Sequence, residues 1–209
     1  MYDIPCALAM MSTTGSAITY NFATAFPYTQ ANWLPECVMT HGGHCDHNLF
    51  EGNCVPSFWA DFIHGNASFN SYVRNIVPGW DPGKTQGTRS INLNAHQDNM
   101  VVIGNVLGTV GVQNVYSVSG SNTTIYNVDP DSQATLFAKG NYNTVNLAVP
   151  AVESLSGMVV ANSYLYAAKP TWFGTLSWPP VNPLSPQTAL STNLPAGYRY
   201  KFGYNPPAQ

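Results

Sequence analysis

Seven consecutive residues, His41-Gly42-Gly43-His44-Cys45-Asp46-His47, carry three imidazoles, a thiol and a carboxylate. Imidazole and carboxylate are ligands for zinc and other transition metals, while calcium takes clustered oxygens. Paired glycines let the backbone bend so that neighbouring side chains converge. The candidate metal set is therefore His41, His44 and Asp46, holding a divalent ion, zinc or calcium. Alternation along a strand puts His44 and Asp46 on one face and His47 on the other. The set closes only if His41 and His44 meet across the Gly42-Gly43 bend.

The same types suit sugar chemistry. Hydrolysis of a glycosidic bond uses two carboxyl groups, about 6.5–9.5 Å apart in inverting enzymes. Elimination from a uronate needs a base beside the sugar C5 and a cation against its carboxylate. Asp46, Asp61 and Asp98 supply carboxyl groups, and His44, His64 and His96 supply bases. Arg74 and Lys84 are the cations, and Trp33 and Trp80 the platforms on which a sugar ring stacks. Asp129-Pro130-Asp131 is the one closely spaced acidic pair, so no typical calcium nest is visible. A structural role competes with each assignment. A histidine beside glycine at a corner commonly bonds a backbone carbonyl, Arg74 can pair with Glu51, and Trp59 reads as core.

A recurring phrase positions these residues: two asparagines bracketing a short strand. It occurs at Asn48–Asn53, Asn70–Asn75 and Asn99–Asn105, with Ser16–Asn21 upstream and a degraded copy at Asn143–Ala148. The closing asparagines 21, 53, 75 and 105 step by 32, 22 and 30 residues. A period in the low twenties, stretched by insertions, matches one coil of a parallel β-solenoid. Asn tolerates a left-handed corner and can hydrogen-bond the Asn one coil away. This register sends His44 to Asn66 and His96, and Gly42 to His64. The expected fold is all-β, a single-stranded right-handed parallel β-helix.

Composition agrees. Charged residues make up 8% of 209, too few for the wet faces of long helices, whereas a hydrophobic share of 44% suffices for a core. A net charge of −3 with seven Lys plus Arg excludes a nucleic-acid footprint, and no apolar run is long enough to span a membrane. Four cysteines at 6, 37, 45 and 54 form no CxxC pair. Cys6 and Cys37 sit nearly one coil apart and could cross-link, with Cys45 and Cys54 as a second bridge, or all four stay free.

Along the chain, Ala7–Met11 is apolar but lacks a preceding basic segment, so it makes a poor signal peptide. The coil pattern starts at once, which is the pattern of a shortened chain whose first edge invites self-association into a homo-oligomer. Residues 22–40 form a long aromatic loop, and Pro78–Lys84 a dense turn. Strands are expected at Ser90–Leu93 and Val101–Val106, with a last one at Ser163–Ala168. Coils thus occupy 1–168, and the Pro-rich tail 169–209 is expected to lie across the final coil, with Trp172, Phe173 and Trp178 covering its apolar end.

The strings Thr40–His44, Asp61–Gly65 with Arg74-Asn75, Gly104–Thr109, Lys169–Gly174 and Trp178–Pro180 resemble the C-terminal half of large secreted bacterial proteins of the pectate-lyase-like superfamily. The resemblance covers roughly residues 15–200. It implies the β-helix fold, a secreted or periplasmic location and a polysaccharide partner. Superfamily members are mostly polysaccharide lyases and glycoside hydrolases, with non-enzymatic adhesins and tailspikes among them. Two functions follow as expectations. One is a glycoside hydrolase or lyase working in a lateral groove built by residues 41–98. The other is a non-catalytic solenoid that binds glycans or self-associates through its N-terminal edge.

Overall fold

The computed structural model describes residues 6–208; of the expected coil region, residues 1–5 lie outside them. Among the described residues, thirteen short strands wind through three parallel sheets. Rung one holds β1 (Leu8–Met10) and β2 (Ala17–Thr19). Rung two holds β3 (Val38–Gly42) and β4 (Leu49–Glu51). Rung three holds β5 (Phe58–His64), β6 (Ser71–Val73) and β7 (Ile76–Val77). Rung four holds β8 (Thr88–Leu93), β9 (Val101–Ile103) and β10 (Val106–Leu107). Rung five holds β11 (Thr123–Val128), a short helix α1 (Pro130–Thr135), β12 (Phe137–Lys139) and β13 (Tyr142–Asn143). Sheet A stacks β1-β3-β5-β8-β11, sheet B stacks β2-β4-β6-β9-β12, and sheet C stacks β7-β10-β13. The molecule is an all-parallel β-solenoid making four full turns from β1 to β11.

Each sheet sends one face into the lumen. Val38, Phe58, Ile91 and Tyr126 form a buried row across sheet A. Phe50, Tyr72 and Val102 do the same across sheet B, with the Phe50 and Tyr72 rings stacked at 4.9 Å. Like residues stack on like because consecutive rungs lie about 4.8 Å apart.

Asparagines, buried in every rung but the first, rivet the corner between sheets B and C. Asn21, Asn53, Asn75, Asn105 and Asn141 form one column. Each of the first four donates its backbone N–H and one amide hydrogen to Oδ1 of the next. The second amide hydrogen of Asn53, Asn75, Asn105 and Asn141 goes back to Ile18, Phe50, Tyr72 and Val102 carbonyls. The left-handed backbone falls on the residue before each asparagine: Tyr20, Gly52, Arg74, Gly104 and Gly140. The asparagine supplies the bonds, and its predecessor makes the bend. The fifth copy of the phrase therefore closes at Asn141, not in the Asn143–Ala148 segment, and the Gly104-Asn105 corner splits the expected strand Val101–Val106 in two.

A second, shorter ladder joins Ser16 to Asn48 and Asn48 to Asn70 at the corner between sheets A and B. In rung four its place falls to Met100, since Ser71 pairs with Val101. Asn99 lies one residue short of the ladder and takes the left-handed bend.

The two ends of the solenoid differ. Beyond β11 the segment 115–118 runs alongside its edge through Ile125 N–H to the Val115 carbonyl and Tyr126 N–H to the Tyr116 carbonyl. Glu153 closes the asparagine column there. The tail does not cover that end. Phe173, Val181 and Leu194 pack against Tyr20, Cys54 and Ile76, along the flank of rungs one to three. Trp172, 48% exposed, rests edge-on to Tyr20, and helix α2 (Pro195–Phe202) closes the tail beside Phe22. Ser163–Ala168 is not a strand; it is held instead by Glu51, whose carboxylate accepts from Tyr164 N–H at 2.6 Å and from the Ser163 hydroxyl. All four cysteines are free, with Cys37 and Cys45 fully buried.

Candidate functional site

The sheet A to sheet B corner gathers all five histidines, with His44 beside Asn66 and Gly42 beside His64 as the repeat step gives. His44 N–H bonds the Asn66 carbonyl, and Gly42 pairs with His64. His96 stands in the next rung of the row, with its N–H on Asp131 Oδ2. Backbone shape explains three of the five. His44, His47 and His96 have φ of 62°, 56° and 61°, in the left-handed region where His is enriched among non-glycine residues. Their rings lean on local partners: His47 stacks on Phe69, and His96 Nδ1 lies 2.7 Å from Asp131 Oδ2. The side chain of His44 is 95% exposed and 3.8 Å from Asp46.

His41 and His64 sit differently, at the C-terminal ends of β3 and β5. His41 Nδ1 lies 2.5 Å from Oδ2 of Asp61, whose side chain is completely buried. The other carboxylate oxygen of Asp61 accepts Ile63 N–H at 3.0 Å. The His64 ring meets the His41 ring edge-on at 4.8 Å. The bends after β3 and β5 both need glycine, because a Cβ on Gly42 would lie 2.9 Å from the Met11 Cα and one on Gly65 2.7 Å from the Gly43 Cα. With Nδ1 committed to Asp61, the free nitrogen of His41 is Nε2, on a side chain 25% exposed.

The proposed metal set does not come together. His41 turns to Asp61, His44 points into solvent, and Asp46 Oδ1 accepts Ser68 N–H at 2.7 Å. Among the described residues no group of three or more His, Cys, Asp or Glu is disposed to hold a metal ion. Asp98, in the same row as Asp46 but two rungs on, faces Thr135 at 3.5 Å.

The remaining candidates are dispersed over the other two corners. Arg74 is buried under the tail, where its guanidinium donates to the carbonyls of Val160, Ala161 and Val181. Lys84, also buried, donates Nζ to the Ala31 carbonyl, and Trp80 Nε1 donates to the Lys84 carbonyl. Asp81 locks the long loop onto this turn by accepting from Thr24 and Phe26. Arg74, Lys84 and Trp80 therefore hold the scaffold and do not line a groove with the histidines. Trp33 does reach sheet A, 6.0 Å beneath the Arg89 guanidinium.

The outer face of sheet A adds groups that the residue pattern did not single out. Met39, Trp59, Asn92 and Asn127 form its outward row. Trp59 is half-buried on this face, not in the core, and donates Nε1 to Asn94 at 2.8 Å. Asn127 donates to Asn92 at 2.7 Å. Glu36 lies 3.8 Å from Arg89. Burial pushes the Glu36 carboxyl above its ordinary range; a hydrogen bond to its own backbone and the Arg89 charge pull it back, and Asp61 pushes it up further.

Comparisons with known proteins return no matching family model, no matching curated protein and no matching solved structure.

Proposed function

We propose that the protein binds a polysaccharide across the outer face of sheet A and acts on it by general base catalysis from His41. One observation carries this reading: a wholly buried Asp61 carboxylate held against His41 Nδ1, which fixes the imidazole with Nε2 free. Trp59 offers a stacking surface on the same face, and half-buried Asn94 beside it an amide suited to sugar hydroxyls. A base so placed serves elimination from a uronate, or activates water for hydrolysis. Asp61 itself is too buried to attack, so the two-carboxylate arrangement would fall to Asp46 and Asp98. Membership of the pectate-lyase-like superfamily and a secreted or periplasmic location belong to the same proposal, on the strength of the strings alone. The test is a panel of plant and bacterial polysaccharides, reading reducing ends and unsaturated-uronate absorbance. Turnover should fall by about 10²-fold or more in His41→Gln. Trp59→Ala should weaken polysaccharide binding while the fold holds. No turnover on any substrate, or full activity in His41→Gln, overturns the catalytic reading.

One observation favours a non-catalytic module. At rung one, Leu8, Ala17, Ile18, Val55 and Phe58 line an open cavity of about 370 Å³, and β1 and β2 are the outermost strands of their sheets. An edge of that kind pairs readily with another chain. Light scattering on the purified protein tests it: a dimer that Ile18→Glu reduces to monomer supports self-association, and a monomer at all concentrations removes it.

A further inference from the structure

Charge is shared unevenly along the chain. Residues 1–153 carry all ten Asp and Glu with four of the seven Lys and Arg, whereas residues 154–209 carry Lys169, Arg199 and Lys201 and no acid. The tail is therefore cationic on a protein whose net charge is −3. Among the described residues none of its three cations forms an ion pair. Glu51, which holds Ser163 and Tyr164, is buried and has Arg74 beside it, so it leaves those exposed charges uncompensated. A cationic segment on an acidic chain attracts anionic partners.

A groove of about 530 Å³ opens within this segment, bounded by Thr171 and Trp172, by α2, and by Thr19 and Tyr20 of rung one. Its volume lies within the range of small-molecule sites. Half-exposed Trp172 and exposed Arg199 both line it. Three rings fix the indole: Tyr20 edge-on at 5.5 Å, Phe173 at 5.0 Å and Tyr166 at 6.1 Å. Arg199 Nη1 donates to Asn205 Oδ1 at 3.0 Å, which sets the guanidinium and leaves its other donors open among the described residues. The chain's last residues complete the wall, where Thr175 N–H bonds the Pro207 carbonyl at 2.9 Å. A Cβ on Gly174 would strike that same oxygen, so the wall closes only over glycine. The groove is preformed, which spares a ligand the ordering cost of building it.

An indole and a guanidinium in one groove suit a sugar ring that carries a carboxylate: the ring stacks, and the planar fork takes both oxygens. A bilayer surface suits it less, because α2 spreads apolar and charged residues around its circumference and has no apolar stripe. We infer that the tail groove is a second binding site, for an acidic saccharide, with Trp172 as its platform and Arg199 as the partner of its carboxylate. The inference does not depend on the sheet A site. Three probes test it by calorimetric titration into the full chain: a galacturonate tetramer, a hyaluronan tetrasaccharide and neutral cellotetraose. At least one acidic probe should bind, and more tightly than cellotetraose. Its affinity should fall about tenfold in Arg199→Gln and about fivefold in Trp172→Ala. Arg199→Gln changes an exposed side chain and keeps the backbone carbonyl that accepts Gly203 N–H, so the fold survives it. Binding should persist in Trp59→Ala, which removes the sheet A platform and so separates the two sites. No binding of either acidic probe overturns the inference, whether or not the protein sediments with phosphatidylserine vesicles. Equal affinity for cellotetraose overturns it too, as does binding that Arg199→Gln or Trp172→Ala leaves unchanged or that Trp59→Ala abolishes.

Discussion

Asn141 gives its backbone N–H and an amide hydrogen to one oxygen of Glu153, where every earlier member of its column gives them to another asparagine. The substitution has a chemical reason. An asparagine ladder runs in one direction, donor to acceptor, and its last donors need an acceptor that asks for nothing further. An ionised carboxylate is such a group. Replacing Glu153 by Ala strands the two Asn141 donors and the Tyr116 hydroxyl together. The expected loss is about 3 kcal/mol, read as a lower urea midpoint at unchanged slope. Glu153→Gln keeps an acceptor for Asn141 and should cost about 1 kcal/mol. A Glu153→Ala variant as stable as the parent would show that the column ends elsewhere.

Within the column, Asn75 uses both amide hydrogens and accepts twice at Oδ1. Asn75→Ala should cost about 3 kcal/mol. Asn99 looks equivalent in the sequence but is exposed, lies outside the ladder and has φ of 55°. Asn99→Gly should therefore stay within about 0.5 kcal/mol of the parent. Equal losses at the two positions would contradict the register that separates them.

The solenoid was legible because its rivets are a residue type at a recurring step. The same step aligns His44 with Asn66 and His96. It misassigned the fifth copy because Asn141 and Asn143 sit two apart and strand alternation has period two. The distinguishing mark was the glycine directly before the asparagine, shared by Gly52-Asn53, Gly104-Asn105 and Gly140-Asn141. Arg74 and Glu51 could not be read as tail anchors, since their partners lie 86 to 113 residues ahead. Glu36 was missed because one acid at the start of a strand carries no pattern. The His41–Asp61 contact followed only in part: the repeat step puts the two residues on neighbouring rungs, but the pairing of β3 with β5 slips between Thr40 and Gly42, and no residue pattern marks that slip.

Glu36 sets a pH dependence. Its carboxyl titrates above the ordinary 4.5 in the folded chain, chiefly through burial. The folded state then holds the proton more tightly than the unfolded state does. Its contribution to stability is present in full below the unfolded value and is lost as pH rises through the folded one. Measured against the parent, Glu36→Gln should gain relative stability from pH 4 to pH 7, because Gln does not ionise. Urea midpoints at several pH values give the difference directly; a difference that is flat or falls with pH would refute the assignment.

The four thiols are the next measurable feature. Burial raises Cys54 to about 12 and Cys37 higher still, so neither forms thiolate at neutral pH. The native protein should react with Ellman's reagent slowly at pH 8, and at Cys6 first, the least buried of the four. In denaturant without reductant all four should react at once. Two reactive thiols there would mean a disulfide after all.

Arg74 fastens the tail. Its guanidinium spans three carbonyls at 2.6–2.8 Å, on Ala161, Val181 and Val160. Glu51 holds Ser163 and Tyr164 beside it, and its charge favours the Arg74 cation against the burial that opposes it. A lysine cannot reach three acceptors in one plane, so Arg74→Lys should behave more like a deletion than a conservative change. Arg74→Ala should cost about 3 kcal/mol and leave Glu51 buried without its cation. The tail should then release before the coils do, and limited proteolysis should cut between residues 155 and 170 while a fragment carrying the five rungs persists. Pairing Arg74→Ala with Glu51→Gln should recover about 1 kcal/mol of that loss through their coupling. If both variants lose stability additively and the tail resists protease, Arg74 and Glu51 act independently and the tail is held by Phe173, Val181 and Leu194 alone.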